Sequence, residues 1–427
     1  MHKFLFISKD ALIGDIIIEV IKGGDEAKYF IEDVDERDVA DGFVPKTDNW
    51  EKEVDWADVI VFDDVLGQGA LAEDLRKRGK LVVGGTAYTD MLEDDRSFGQ
   101  RELKKHGIKI IPFWEFDDFD AAIKFVKENP DEYVIKPSGE AQNIKRLLFV
   151  GQEKDGADVV RILEAYKKVW YEDIKIFQLQ KKVTGVEVAV GAFFNGHDFL
   201  YPININFENK KLFPGNLGPA TGEMGTFMYW SQPNTLFNAT LAKMKDTLAK
   251  EQYVGYIDIN CIVNNFGIYP LEFTCRFGYP IISMQQESIN MPFGDFLYQM
   301  ADGQDWEFKV SRGFQVGVRV VVPPFPYRDK KTFDSYSKDS VVVFKNGAST
   351  AGIHIEDVKL VDNQWVLTGS AGVAVIAIGL GLTMKDAQKQ VYARINNILI
   401  PNMYYRDDIG DRWYAEFDKL LAWGYLN

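Results

Sequence analysis

Short apolar runs alternating with segments of helical spacing fill the first 90 residues, and this rhythm restricts the opening of the chain to a parallel sheet with crossover helices. Phe4–Ile7, Val59–Phe62 and Leu81–Val83 read as buried strands, and Leu12–Ile21 and Gly69–Arg78 as helices. A nucleotide-binding sheet of this kind carries a glycine-rich turn after its first strand, whose backbone N–H groups cradle phosphate. Here that turn reads Ser8-Lys9-Asp10-Ala11-Leu12-Ile13-Gly14, with one glycine. The parallel architecture is expected without the phosphate nest.

The pattern then changes. A charged amphipathic helix over Glu93–His106 leads to a strand at Lys109–Ile111, a helix at Phe119–Glu128 and a strand at Tyr133–Lys136. Leu147–Val150 reads as a strand and Asp158–Tyr166 as a helix; two long strands follow, Val186–Phe194 and Phe199–Asn206. Four glycines in Gly215–Gly225 suggest a loop, and Leu236–Lys250 a helix. The strands Tyr256–Val263 and Ile268–Phe273 flank the turn Asn264-Asn265-Phe266-Gly267. Beyond Arg312 the texture is strand-rich, with a buried strand within Val373–Leu382, and a helix at Met384–Asn397 closes the chain. A length of 427 residues implies about three domains. The expected fold class is α/β and α+β multidomain: an N-terminal parallel-sheet domain over 1–92, a core of two lobes over 93–311 with its small lobe at about 108–183, and a strand-rich C-terminal domain over 312–427.

Charge narrows the partners. A net charge of −15 argues against nucleic acid or an anionic membrane, so an acidic chain that handles phosphates must place its cations locally. The two cysteines, Cys261 and Cys275, form no CxxC pair and fit a reducing compartment. The apolar start, Phe4–Ile7, is too short for a signal peptide or a membrane span, which makes the expected location cytoplasmic.

Lys136 ends a buried strand before Pro137-Ser138-Gly139 and can reach a phosphate oxygen as a point charge; Lys145 could flank the same loop. Alone, Lys136 reads more readily as a lysine stem buried at a strand end, and either lysine by itself is weak evidence. Leu179–Val183 offers an extended hinge for an adenine edge, and Glu187, after the Gly185 turn, suits ribose hydroxyls. The hairpin should bring Asp258 near Glu272, and Glu272 and Thr274, two apart on a strand, share a face. Two carboxylates and a hydroxyl make an oxygen-only site of the hard kind that Mg²⁺ prefers. Asp258 also lies in an apolar run, where an unpaired carboxylate is costly. Arg276 continues that face toward a γ-phosphoryl group or a substrate carboxylate. The four histidines show no metal spacing.

These segments resemble the ATP-grasp superfamily, and within it the phosphoribosylamine–glycine ligase family, over about Gly67 to Arg412. Val134-Ile135-Lys136 is similar to the family's phosphate lysine, and Gly185-Val186-Glu187 to its ribose carboxylate. Gly218-Pro219-Ala220-Thr221-Gly222-Glu223-Met224-Gly225 resembles its GPNTGGMG loop, and Leu271–Pro280 its EFNxRFGDP metal strand. The resemblance implies an ATP-grasp core, ATP, Mg²⁺ or Mn²⁺, and a carboxylate activated as an acyl-phosphate for attack by an amine, in purine biosynthesis. It implies cofactor contacts from Arg96, Lys136, Lys145, Gln180, Lys181, Val183 and Glu187, and metal ligation by Glu272, Thr274 and Asp258. Catalytic roles fall to Arg276 and Lys210, and substrate contacts to Thr221, Gly222, Glu223, Met224, Gly225 and Gly278. The implied partners are an amino acid and an amine, on a monomer or homodimer. Departures are visible too: Arg96 replaces a lysine, Glu208-Asn209-Lys210-Lys211 replaces DHKR, Thr274 an asparagine and Tyr279 an aspartate. They leave open a ligase with a different amine acceptor, or a nucleotide-binding descendant without catalysis.

Overall fold

The computed structural model describes residues 1–63, 67–138, 147–170 and 174–427. Four parallel strands open the chain: β1 (Lys3–Ser8), β2 (Glu26–Ile31), β3 (Val59–Phe62) and β4 (Leu81–Val83), in the order β2-β1-β3-β4. Helices α1 (Gly14–Lys22) and α2 (Gly69–Lys77) cross between them. Phe4, Phe6, Val59 and Val61 are fully buried, as expected for a parallel sheet covered on both faces.

The helix expected over Glu93–His106 is two, α3 (Ala87–Asp94) and α4 (Arg96–Lys105). They break at Asp95, which is extended and caps α4 by accepting from Phe98 N–H. The small lobe holds β5 (Phe113–Phe116), α5 (Phe119–Glu128), β6 (Tyr133–Pro137), β7 (Phe149–Val150), α6 (Ala157–Val169) and β8 (Phe177–Lys181). Its sheet order is β5-β8-β6-β7, with a separate core around Phe119, Tyr133, Leu163 and Phe177. The strand expected at Lys109–Ile111 falls instead at Phe113–Phe116, where aromatics pack against Phe125 and Phe177.

The large lobe is built on β9 (Val186–Asn195), β10 (Ile203–Phe213), β11 (Leu217–Ser231), β12 (Val254–Asn264) and β13 (Gly267–Thr274). Two short helices, α7 (Thr235–Ala239) and α8 (Lys245–Lys250), replace the single helix expected over Leu236–Lys250. After α9 (Ile281–Ser288) and α10 (Phe293–Ala301) come β14 (Phe314–Val321), α11 (Lys330–Tyr336), β15 (Val341–Phe344), β16 (Ile353–Ile355), β17 (Val358–Val361), β18 (Gln364–Leu367) and β19 (Val373–Gly381). Then follow α12 (Met384–Ile395), β20 (Ile398–Leu399) and α13 (Trp413–Ala422), so a further helix succeeds the one read as closing the chain.

One eight-stranded sheet, in the order β13-β12-β9-β10-β11-β14-β19-β16, takes strands from both sides of residues 311 and 312. The strand-rich C-terminal region thus shares its main sheet with the core. Of the strands after residue 311, β15, β17, β18 and β20 form a separate four-stranded sheet, in the order β17-β18-β15-β20.

Candidate active site

Side chains of residues paired directly across a sheet lie on one face, so register decides what the large lobe presents. Asp258 pairs with Thr274 and Asn260 with Glu272. On β9, Gly191 pairs with Asp258 and Ala189 with Asn260; on β10, Asn206 pairs with Ala189. Asp258, Glu272 and Thr274 therefore share a face, as the sequence suggests. The neighbour of Glu272, however, is Asn260, and Asp258 lies one row away, almost fully buried. Neither Asp258 oxygen has a hydrogen-bond partner, although the Thr274 hydroxyl is near enough to favour its charge in part. Burial, and then the nearby Glu208, hold that carboxyl well above the usual range.

The mouth of this face is a cluster of charge. Lys210, on β10, places its ammonium 3.0 Å from Glu208, 3.2 Å from Glu187 and 3.2 Å from Glu272. Across the cleft the small lobe contributes Lys136 from the end of β6, beside Arg96 from the first turn of α4, which donates to the Pro137 carbonyl. Lys136 is buried, and burial with the neighbouring Arg96 lowers its pKa to about 7. Lys210, helped by Lys136 and Arg96, lowers the half-exposed Glu272 carboxyl to about 2. Three cations and three carboxylates from two lobes thus converge. Such a place can receive a polyanion on its cations and a hard divalent cation on its carboxylates. Among the described residues no group of three or more His, Cys, Asp or Glu side chains is arranged to hold a metal by itself. Glu272, ionised and facing the cleft, fits as a carboxylate ligand to a metal whose other ligands come from elsewhere.

Gln178 and Gln180 lie in register with Lys136 and Val134 and are buried on the same face of the small lobe. Gln178 Nε2 donates to Ser97 Oγ at 2.9 Å, while Gln180 Nε2 has no partner. At the end of β8 the Lys181 and Lys182 amides donate to the carbonyls of Pro112 and Glu132. Of the amides over 181–183, that leaves Val183 for an adenine edge. The Lys181 side chain turns outward to Asp131, at 2.6 Å, so this residue can offer a nucleotide only its backbone. Glu187 is not free at the hinge; besides Lys210 it accepts from Asn260 Nδ2 at 3.3 Å. Lys145 lies outside the described residues.

Two expectations need correction. Arg276 does not continue the face of Glu272 and Thr274, because β13 ends at Thr274 and the alternation stops with it. Its Nε lies 3.1 Å from Glu93 on α3, and its Nη1 donates to the Phe277 carbonyl. Residues 217–225 are not a loop but the first part of β11, carrying an irregularity opposite Lys210. Four residues, Thr221–Met224, bulge between the pairs Lys211–Ala220 and Asn209–Gly225, and Thr221 Oγ1 donates to the Lys210 carbonyl. A side chain at Gly225 would lie 2.6 Å from the Gly317 carbonyl, so β14 packs there only against a glycine. Met224 is buried with Val321 and Val373 and can offer a substrate only its backbone. Gly222 lies within the bulge, and the Gly278 carbonyl accepts from Ile282 N–H as α9 begins.

Sequence reasoning missed Arg319 and His354. Arg319 Nη2 lies 2.9 Å from Glu356, and its Nη1 faces the carbonyl of Glu223, whose own buried carboxyl is raised well above the usual range. His354 is buried between Asp15 on α1 and Glu287 on α9. Each had a signal: a lone charge in the apolar run Val316–Val322, and a histidine between two isoleucines.

Residues 94–281 match the family model for the phosphoribosylglycinamide synthetase ATP-grasp (A) domain. Among curated proteins the chain is similar to phosphoribosylamine–glycine ligase of Streptococcus pneumoniae, at 22% identity over 82% of each chain. It is also similar to that of Streptococcus suis, at 23% identity over 85% of this chain and 86% of the relative. Among solved structures, phosphoribosylamine–glycine ligase from Thermotoga maritima superposes with a TM-score of 0.70 at 21% identity, covering 95% of this chain and all of that one (100%). A biotin carboxylase–β,γ-ATP complex from Campylobacter jejuni superposes with a TM-score of 0.65 at 14% identity, over 100% of this chain and 98% of the other.

Proposed function

We infer that this ATP-grasp chain is a carboxylate–amine ligase of the phosphoribosylamine–glycine ligase type, forming an amide through an acyl-phosphate. The observation that carries the reading is the convergence of Arg96, Lys136 and Lys210 with Glu187, Glu208 and Glu272 at the cleft between the lobes. ATP takes the cleft, with its adenine edge at Val183 and its phosphates on Lys136, Arg96 and Lys210. Glu272 would hold Mg²⁺ or Mn²⁺, with Thr274 and Asp258 behind it; when bound, the ion neutralises phosphate charge and acts as a Lewis acid. Lys136 and Lys210 approach from opposite lobes and fix the phosphate chain for in-line transfer to the substrate carboxylate. Thr221–Gly225 border the acceptor side, where excluding water protects the acyl-phosphate until the amine attacks its carbonyl and expels phosphate. Arg276, held by Glu93, steadies the end of the metal strand rather than touching the γ-phosphoryl group.

The test is ADP release from Mg-ATP with glycine, with and without freshly generated phosphoribosylamine. Release that needs both substrates supports the family reaction, and Glu272→Ala should abolish it. Full turnover in that variant would sink the role given to Glu272.

A second reading keeps the chemistry and changes the amine. It is favoured by the start of α1, where Asp15 stands in the first turn with its carboxylate 2.8 Å from His354 Nδ1. Glu356 and Asp357 are buried nearby. A carboxylate already occupies the helix N-terminus that would otherwise attract a phosphate. Normal rates with phosphoribosylamine would reject this reading.

A further inference from the structure

Beside the charged mouth, between the large sheet and α9, lies a layer of polar side chains whose hydrogen bonds are unmade. Gln315 on β14 pairs with Met228, Met228 pairs with Asn206, and Asn206 lies in the row of Ala189 and Asn260, so these residues share the face of Asp258. Gln285 reaches the same face from α9 and approaches the Tyr256 hydroxyl, itself bonded to Asn204. Gln285 and Gln315 are completely buried, and neither side-chain atom of either finds a partner. The Oδ1 atoms of Asn206 and Asn260, the Thr226 hydroxyl and both oxygens of Asp258 are likewise buried and unpartnered.

Buried polar atoms are almost always hydrogen-bonded, and each one left without a partner costs about 1–3 kcal/mol. A layer of this kind persists when the missing partners arrive with a ligand. The unmet groups define that ligand. Acceptors outnumber the two carboxamide donors, counting the oxygens of Asn206, Asn260 and Asp258 with those of Gln285 and Gln315. The occupant therefore donates several hydrogen bonds, as an ammonium group does, and extends from the carboxylate-activating end of the site.

We propose that this layer binds the body of the acyl donor, which is an amino acid bearing a hydrogen-bonding side chain. Its ammonium faces Asp258 and its side chain meets Gln285 and Gln315. The proposal rests on the ligase reading for the position of the donor carboxylate, beside Lys210 and Glu272. Glycine would leave Gln285 and Gln315 unpaired, because it carries nothing beyond its α-carbon.

The experiment uses Gln315→Leu and Gln285→Leu in the full chain, with glycine, serine, asparagine and glutamine as probes. Replacing an unpartnered buried carboxamide by an apolar group of similar size removes a desolvation cost, so each variant should melt at or above the parent temperature. Each should also raise the donor KM in Mg-ATP-dependent ADP release by about three- to tenfold, the equivalent of one hydrogen bond, with the KM for ATP unchanged. Thermal shifts induced by the amino acids in the presence of Mg-ADP give a readout that needs no turnover. A shift larger with asparagine or serine than with glycine, and lost in both variants, supports the site even if no ADP is released; that result would sink the ligase reading alone. Variants that leave donor KM and amino-acid-induced shifts at parent values overturn the proposal, as does an equal response to glycine and the polar amino acids. Loss of melting temperature in one variant leaves the other to decide.

Discussion

The ammonium of Lys210 stands 3.2 Å from the Glu272 carboxylate and within 3.2 Å of Glu187 and Glu208, so one cation on β10 balances three carboxylates from three further positions of the sheet. Lys210→Met should remove a phosphate contact and leave those carboxylates facing one another. ADP release should fall by about a hundredfold or more. The same variant should gain affinity for a bare divalent cation, so added Mg²⁺ without nucleotide should raise its melting temperature more than that of the parent. An equal Mg²⁺ response in both proteins would count against the arrangement.

Lys136 supplies a pH dependence with two signs. Its pKa in the fold, about 7, lies below the ordinary 10.5, so between those values the folded state binds fewer protons than the unfolded one. Stability without nucleotide should therefore rise with pH across that window. ATP affinity should do the reverse. Phosphate binding requires the ammonium, so ATP should take up a proton on binding and weaken as pH climbs above about 7. Calorimetry in buffers of different ionisation enthalpy measures the proton directly, and Lys136→Arg should flatten the profile.

His354 ties the N-terminal domain to the large sheet. Burial works against its charge, yet Asp15 at 2.8 Å and Glu287 at 3.1 Å raise its pKa to about 10. The folded value exceeds the ordinary 6.5, so this stabilisation is fully present below about 6.5 and is lost as pH rises through about 10. His354→Gln should cost about 3 kcal/mol near neutral pH, at the low end for a broken buried pair because Glu287 is partly exposed. Denaturant unfolding across the window should lose the corresponding slope in the variant.

Gly191 is a packing requirement. A Cβ there would lie 2.1 Å from the Tyr256 hydroxyl, which donates to Asn204 at 2.9 Å on the face shared with Asp258. Gly191→Ala should destabilise by about 1–3 kcal/mol. Combined with Tyr256→Phe, the loss should be smaller than the sum of the single changes, since the hydroxyl is the nearest obstacle.

Much of the scaffold was legible because its signals are local. The strands Val59–Phe62 and Leu81–Val83 and the helix Phe119–Glu128 fall where their apolar spacing puts them. The β12–β13 hairpin followed from its turn, and with it the shared face of Asp258, Glu272 and Thr274. Residues 217–225 failed because the four glycines of Gly215–Gly225 read as a loop, whereas β10 pairs with Leu217, Ala220 and Gly225, and β14 joins on the other side from Gly225 onward. Arg276 failed because the extended backbone stops two residues before it.

By itself the sequence determined which segments are apolar enough to pair and at what period, and so the parallel opening, the hairpin and the residue types available for phosphate and metal. Those depend on neighbours within a few positions. Only the tertiary structure decided that Lys210 meets Glu187, Glu208 and Glu272, that Glu93 takes Arg276, and that Gln285 and Gln315 are left without partners. Each of those outcomes depends on strand register and on which elements stack, set by burial summed over the whole sheet, and no local spacing encodes it.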